Sequence, residues 1–176
     1  MSRRKRRIAK GLLAGIAGGL VASWTMNEFQ ALWTKASQAA KPKSEEKPEH
    51  GPGEFEADVE DATMKAADRV SRKLLHYPLD KEEKKKAGPL VHYAFGTTVG
   101  ALYGLSAELA PAVTTGFGTG FGAALFAAAD EVAVPALGLS GKPSEAPLSS
   151  HVYALASHLV YGAATEGVRR LMLATL

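Results

Sequence analysis

Residues 15–29, GIAGGLVASWTMNEF, run through glycine, alanine and large apolar side chains and then close on an amide and an acid, Asn27 and Glu28. Residues 118–132, GTGFGAALFAAADEV, repeat the arrangement, with Gly118 in the place of Gly15, Gly122 of Gly19, Asp130 of Asn27 and Glu131 of Glu28. Glycines four apart leave two gaps on one helix face, where a second helix can approach to backbone contact. An acid at the end of such a stretch is costly in hydrocarbon unless it meets a partner or water. Packed membrane helices satisfy both conditions, and the recurrence points to a duplicated unit.

Four long apolar segments surround these two stretches: Ile8 to Trp33, Pro89 to Ala110, Thr114 to Leu139 and Leu148 to Leu173. Each has the roughly 20 residues needed to cross a hydrocarbon core about 30 Å thick. The mean hydropathy of −0.06 hides them, because residues 35–88 hold 12 Lys/Arg and 12 Asp/Glu. Small residues recur at i, i+4 spacing: Gly15 and Gly19; Gly96, Gly100 and Gly104; Gly116 and Gly120; Gly118 and Gly122. Such spacing predicts helix–helix contact. HYAFG (92–96) and HLVYG (158–162) share His-x-x-aromatic-Gly, so the second and fourth segments match as the first and third do. The expected fold is all-α, a four-transmembrane-helix bundle of two repeated hairpins. Two crossings separate the copies, which makes the repeat parallel.

The chain divides into a basic tail with the first span (1–34), a polar insert (35–88) and spans two to four (89–176). In the insert, KPKSEEKPEHGPG (41–53) reads as a linker. The following stretch places Val59, Thr63, Ala66, Val70 and Leu74 at helical spacing and predicts an amphipathic helix in the enlarged first loop. Asp80 and Glu83 stand in capping-box spacing, and the lysines at 84–86 read as a solvated lead-in to span two. Six basic residues lie in MSRRKRRIAK (1–10), five of them ahead of Ile8. With apolar residues running on to Trp33 they predict a retained helix rather than a cleaved signal. Together with Arg169 and Arg170 they favour cytoplasmic termini, whereas the lysines at 84–86 count against that orientation.

Each acid falls late in an odd span and each His early in an even one, so Glu28, Asp130, Glu131, His92 and His158 are expected at one membrane level as a candidate proton or ion cluster. Interhelical hydrogen bonding, proton response and metal binding are all open to such groups. On span four His151, His158, Gly162, Thr165 and Arg169 share a stripe, with Glu166 beside it. There is no cysteine, hence no disulfide or thiol chemistry, and the His spacing matches no zinc signature. No nucleophile elbow, phosphate loop or HExxH is present. No enzyme activity, cofactor or resident metal is expected. A net charge of +3 without basic–aromatic interleaving gives no reason to expect nucleic acid. The expected partners are the lipid bilayer and a membrane complex or second copy. An accessory subunit of a larger membrane assembly is the alternative to a proton-responsive protein.

GLLAGIAGGLVASW (11–24), GPLVHYAFGTTVGALYG (88–104), DEVAVPALGLSGKPSEAPLSSHVYALASHLVYG (130–162) and TEGVRR (165–170) together resemble the YagU-like family of small bacterial inner-membrane proteins. The resemblance covers all four spans and is most specific in the third-to-fourth block. It implies a multi-pass inner-membrane protein of a domain family without assigned function. It also implies an association with acid resistance, through the family's namesake.

Overall fold

The computed structural model describes residues 2–40 and 60–175, and the linker expected at 41–53 lies outside them, as does Val59. The described chain is helical throughout, with no strand. α1 spans Arg3–Ala40, α2 Ala62–Leu74 and α3 Lys81–Leu109. α4 begins at Thr119–Ala128, passes through a π-helical turn at Ala129–Ala133 and ends with the α turn Val134–Ala136. α5 spans Leu148–Thr175. The segments Arg3–Ala40 and Pro111–Ala136 are long and apolar enough to cross a membrane. α3 and α5 have the length, but Gly, Ser, Thr, His and Tyr dilute their hydropathy.

α1 runs antiparallel to both α3 and α5, and α4 antiparallel to α5. The α1–α3 seam is glycine against glycine. A Cβ on Gly100 would lie 2.5 Å from the Gly19 Cα, and one on Gly104 would lie 2.8 Å from the Gly15 Cα. Gly96 completes the row against the Ser23 side chain. Gly122 and Gly162 bring α4 and α5 together in the same way, a Gly162 Cβ falling 2.9 Å from the Gly122 nitrogen. Gly116 and Gly120, also expected in helix packing, meet no other helix among the described residues. Gly116 has φ +65° in the turn before α4, and Gly120 is exposed with only the Thr115 carbonyl oxygen, 3.5 Å away, near a Cβ. The helix starts at Thr119, so i, i+4 spacing has no meaning at Gly116.

Small and polar residues fill much of the interior around Tyr103 and Tyr161, and many large apolar side chains lie on the exterior. Ala14, Ala22, Ser23, Ser157, Thr165 and Glu166 are fully enclosed, while Leu13, Leu20, Trp24, Leu90, Leu102 and Leu171 are exposed. The apolar centre is Ala22, Met26 and Tyr161, with Val99, Phe121 and Leu125 against it.

α2 is started by Asp61, which accepts from the Met64 N–H. α3 starts eight residues before the expected boundary at Pro89, on the capping box of Asp80 and Glu83. Met64, Ala67 and Ser71 are the buried face of α2. Val70 and Leu74 of the expected stripe point outward, 53% and 70% exposed. Two overlapping stripes compete on this helix. Gly88 of α3 receives α2 between them: a Cβ there would lie 2.8 Å from the Met64 Cγ and 3.1 Å from the Oγ1 of Thr63, a member of the expected stripe. Lys84 is no solvated lead-in but pairs with Glu60 at 2.8 Å and Asp68 at 3.7 Å.

Asp68 joins these elements through Arg72 and the Leu79 N–H, both at 2.8 Å. The Arg72 hydrogen bond, with help from Leu79 and Lys84, holds its carboxyl below the usual range. A depressed folded-state pKa stabilises above the unfolded value of about 3.9 and stops doing so as pH falls through the folded value. Protection factors for the amides of 64–75 should therefore hold from neutral pH down to about pH 4 and fall below it, more than those of α1. Asp68→Asn should show the low protection already at neutral pH; unchanged protection in both tests would remove Asp68 from the docking of α2.

Candidate functional site

The π turn of α4 closes with the Val134 N–H donating to the Ala129 carbonyl. Such wide turns inside α-helices recur at functional positions. Here it faces two consecutive acids towards α5. Glu131 Oε1 lies 2.7 Å from His151 Nδ1, and Asp130 Oδ2 lies 3.6 Å from His158 Nδ1. The two histidines are two helical turns apart on α5, about 10 Å along its axis. The outer pair is a quarter exposed on each side, at 27% and 28%. The inner His158 is 9% exposed in its side chain and lies beside the Phe126 ring at 5.9 Å.

Hydrogen-bond chemistry makes the outer pair informative. His151 Nε2 is 3.0 Å from the Pro143 carbonyl oxygen, which can only accept. Its Nδ1 faces Glu131, and an ionised carboxylate also only accepts. Both contacts are satisfied when imidazolium faces carboxylate, or when neutral imidazole receives a proton from carboxylic acid. In each case the pair holds one dissociable proton between Nδ1 and Oε1. At the inner pair, His158 Nδ1 donates to the Ala154 carbonyl at 2.9 Å, and Asp130 stands just beyond hydrogen-bond reach.

The five residues expected as one cluster are thus divided. Asp130 and His158 meet, and Glu131 reaches His151 instead of His158. His92 is turned to α1, with Nε2 3.5 Å from the Ser23 carbonyl and its ring edge-on to Tyr93. Glu28 is exposed on α1. Asn27, its neighbour, donates to the Tyr93 hydroxyl at 3.4 Å. Among the described residues no three His, Asp or Glu side chains come together in a group able to hold a metal ion.

A second charged centre lies at the opposite end of α5. Glu166 is fully buried and accepts from the Tyr103 hydroxyl at 2.8 Å, from Arg169 at 2.7 and 3.0 Å, and from Arg170 at 2.6 Å. Arg169 also reaches Glu108 at 3.3 Å, and Arg7 of α1 reaches Glu108 at 3.1 Å. Three helices are tied together there. The i, i+3 and i, i+4 spacing of Glu166, Arg169 and Arg170 was the available signal in the sequence, and Tyr103 shares a helical stripe with His92, Gly96 and Gly100; Glu108 and Arg7 carried no signal that they meet.

A family model described as a protein of unknown function, DUF1440, matches residues 66–167. That interval takes in most of α2, all of α3 and α4, both acid–imidazole pairs and Glu166. No curated protein and no solved structure matches the chain.

Proposed function

Since this chain belongs to the DUF1440 family of proteins of unknown function, we propose that it is a multi-pass bacterial inner-membrane protein that responds to protons through the His151–Glu131 and His158–Asp130 pairs. The proposed arrangement has four spans, α1, α3, α4 and α5, with both termini in the cytoplasm. The carrying observation is His151 with acceptors on both ring nitrogens, next to a carboxylate that water can reach. His158 and Asp130 then form a deeper site two turns away. A proton taken up at the outer pair changes the charge facing the inner one. The finer resemblance to the YagU-like proteins, with their acid-resistance association, agrees with this role, and no catalytic step is part of it.

Two observations support the membrane setting. Large apolar side chains cover the outside while glycine, alanine and buried polar groups fill the inside, as helices already in lipid pack. Equivalent contacts in the two hairpins support a parallel repeat. Gly19 meets Gly96 as Gly122 meets Gly162, and His92 meets Ser23 where His158 meets Phe126, its counterpart. The exposed small face of α4, with Gly120, Ala124, Ala127 and Ala128, favours the second reading, an accessory subunit or homo-oligomer packed against another membrane helix.

The Trp33 ring lies tilted against that of Tyr153 at 5.9 Å, two residues from His151, and offers an optical readout. In lipid nanodiscs, tryptophan emission should pass through a transition between about pH 4 and 8, bracketing the carboxylate and imidazole ranges. Glu131→Gln and His151→Gln should abolish that transition while leaving the protein folded. In cells, the same variants should accumulate normally yet fail to restore survival of an acid challenge. A transition that persists in both variants would end the proton-response reading. Co-purification with a stoichiometric membrane partner, and loss of phenotype only when α4 is made bulky, would put the accessory role in its place.

A further inference from the structure

The loop from Ser140 to Pro147 joins α4 to α5 and has little to hold it. Its own hydrogen bonds are short-range: the Ser140 hydroxyl donates to the Gly141 carbonyl, the Glu145 N–H to that of Lys142 and the Ala146 N–H to that of Pro143. Lys142 and Glu145 pair with each other at 3.5 Å, both largely exposed. Every residue from 140 to 149 is exposed except Pro143, and the Pro143 carbonyl is the one that meets His151 Nε2 at 3.0 Å. Just ahead of the loop, Leu139 is buried and the Leu137 carbonyl takes the Arg69 guanidinium.

Few groups face His151. The π turn brings Glu131 at 2.7 Å, and the loop brings the Pro143 carbonyl with that of Ala146 close by. On α5 itself the next titratable group is His158, which stands beside Asp130. α1 comes to this level with Trp33 against Tyr153 and adds no charged group to His151 among the described residues. A neutral imidazole carries one N–H and one lone pair. With Glu131 ionised, that N–H goes to the carboxylate, because a charge-assisted hydrogen bond is the stronger. The Nε2 lone pair then points at the Pro143 carbonyl oxygen, and two acceptors repel. Only the pair loaded with its extra proton serves both sides at once.

We propose that His151 is a proton-dependent clasp: the proton on the His151–Glu131 pair fastens the 140–147 loop to the π turn of α4, and its departure lets the loop go. The clasp rests on the proton-response reading above and gives that response a mechanical output. Occupancy of a part-buried site becomes the position of a surface segment. Leu139 and the Arg69 contact keep the start of the loop in place, so the movement is confined to the residues that follow.

Hydrogen exchange of the full chain in nanodiscs tests this at the amides of Glu145 and Ala146. Their protection should be high near pH ~5 and fall about five- to tenfold by pH ~8 as the proton leaves. Amides of 96–104 in α3 should not change. The two halves of the clasp should fail in opposite directions. His151→Ala should leave the loop unprotected at every pH. Glu131→Gln should keep it protected at every pH, since the side-chain amide donates to Nδ1 and leaves the ring N–H on Nε2 for Pro143. A passive structural contact would weaken in both variants. Equal loop protection at the two pH values, or a Glu131→Gln loop that lets go as the wild type does, would overturn the clasp. Trp33 emission separates the two readings. If it titrates while the loop does not, the proton response stands without the clasp; if neither titrates, both fall.

Discussion

Glu166→Gln is expected to leave little folded protein. Glutamine keeps the shape and can still accept from Tyr103, but it removes the negative charge between Arg169 and Arg170. Arg169 is 8% exposed and cannot turn to water without opening the α3–α5 contact. Breaking one partner out of a buried ion pair costs about 3–5 kcal/mol, a large share of the roughly 5–15 kcal/mol by which a typical domain is stable. Thermal unfolding in nanodiscs and the amount of protein in membranes both report it. Adding Arg169→Gln should recover part of the loss, because the orphaned charge goes with it. Glu108→Gln should cost less, since the arginines it serves keep Glu166 or face solvent. A Glu166→Gln protein that melts with the wild type would show that this centre does not hold the bundle.

Gly100→Leu is expected to prevent α1 and α3 from assembling. A Cβ alone would sit 2.5 Å from the Gly19 Cα and 2.7 Å from its nitrogen, and neither backbone atom can step aside while the helix stays intact. Gly100→Ala should already cost at least the roughly 1–3 kcal/mol of overpacking, and leucine more. Gly120→Leu is the informative control, because a Cβ there meets only the Thr115 carbonyl oxygen at 3.5 Å. Thermal midpoints should therefore order as wild type, close to Gly120→Leu, then Gly100→Ala, then Gly100→Leu. A tolerated Gly100→Leu would mean that the seam is looser than its glycines suggest.

The contrast between these two glycines also shows what the sequence made legible. Fourfold spacing located the α1–α3 seam because both partners are uninterrupted helices there, so periodicity carried over directly into contact. It carries no such meaning at Gly116, where the chain is still turning: Phe117 and Gly118 both have positive φ, 55° and 82°. The acid–imidazole chemistry was legible in kind, but its pairing depended on a π turn that composition does not announce. One residue of altered pitch sends Glu131 to His151 and leaves Asp130 with His158. On α2 the expected stripe is apolar at Val70 and Leu74, and no local pattern shows that α3 offers the neighbouring Met64 a gap at Gly88. The Glu166 centre draws on residues up to 159 positions apart in sequence, Arg7 and Glu166, which no local pattern connects.

The π turn has a reach beyond the acids it aims. Four residues after it ends at Ala133, the chain presents the Leu137 carbonyl to Arg69 of α2. The phase of α4 beyond the turn is therefore shared by two clients: the carboxylates that look inward to α5 and the carbonyl that looks outward to the polar insert. A helix without the extra residue could serve one of them at a time. Through that single irregularity, whatever alters the protonation of Glu131 and whatever docks or releases α2 act on the same few peptide units.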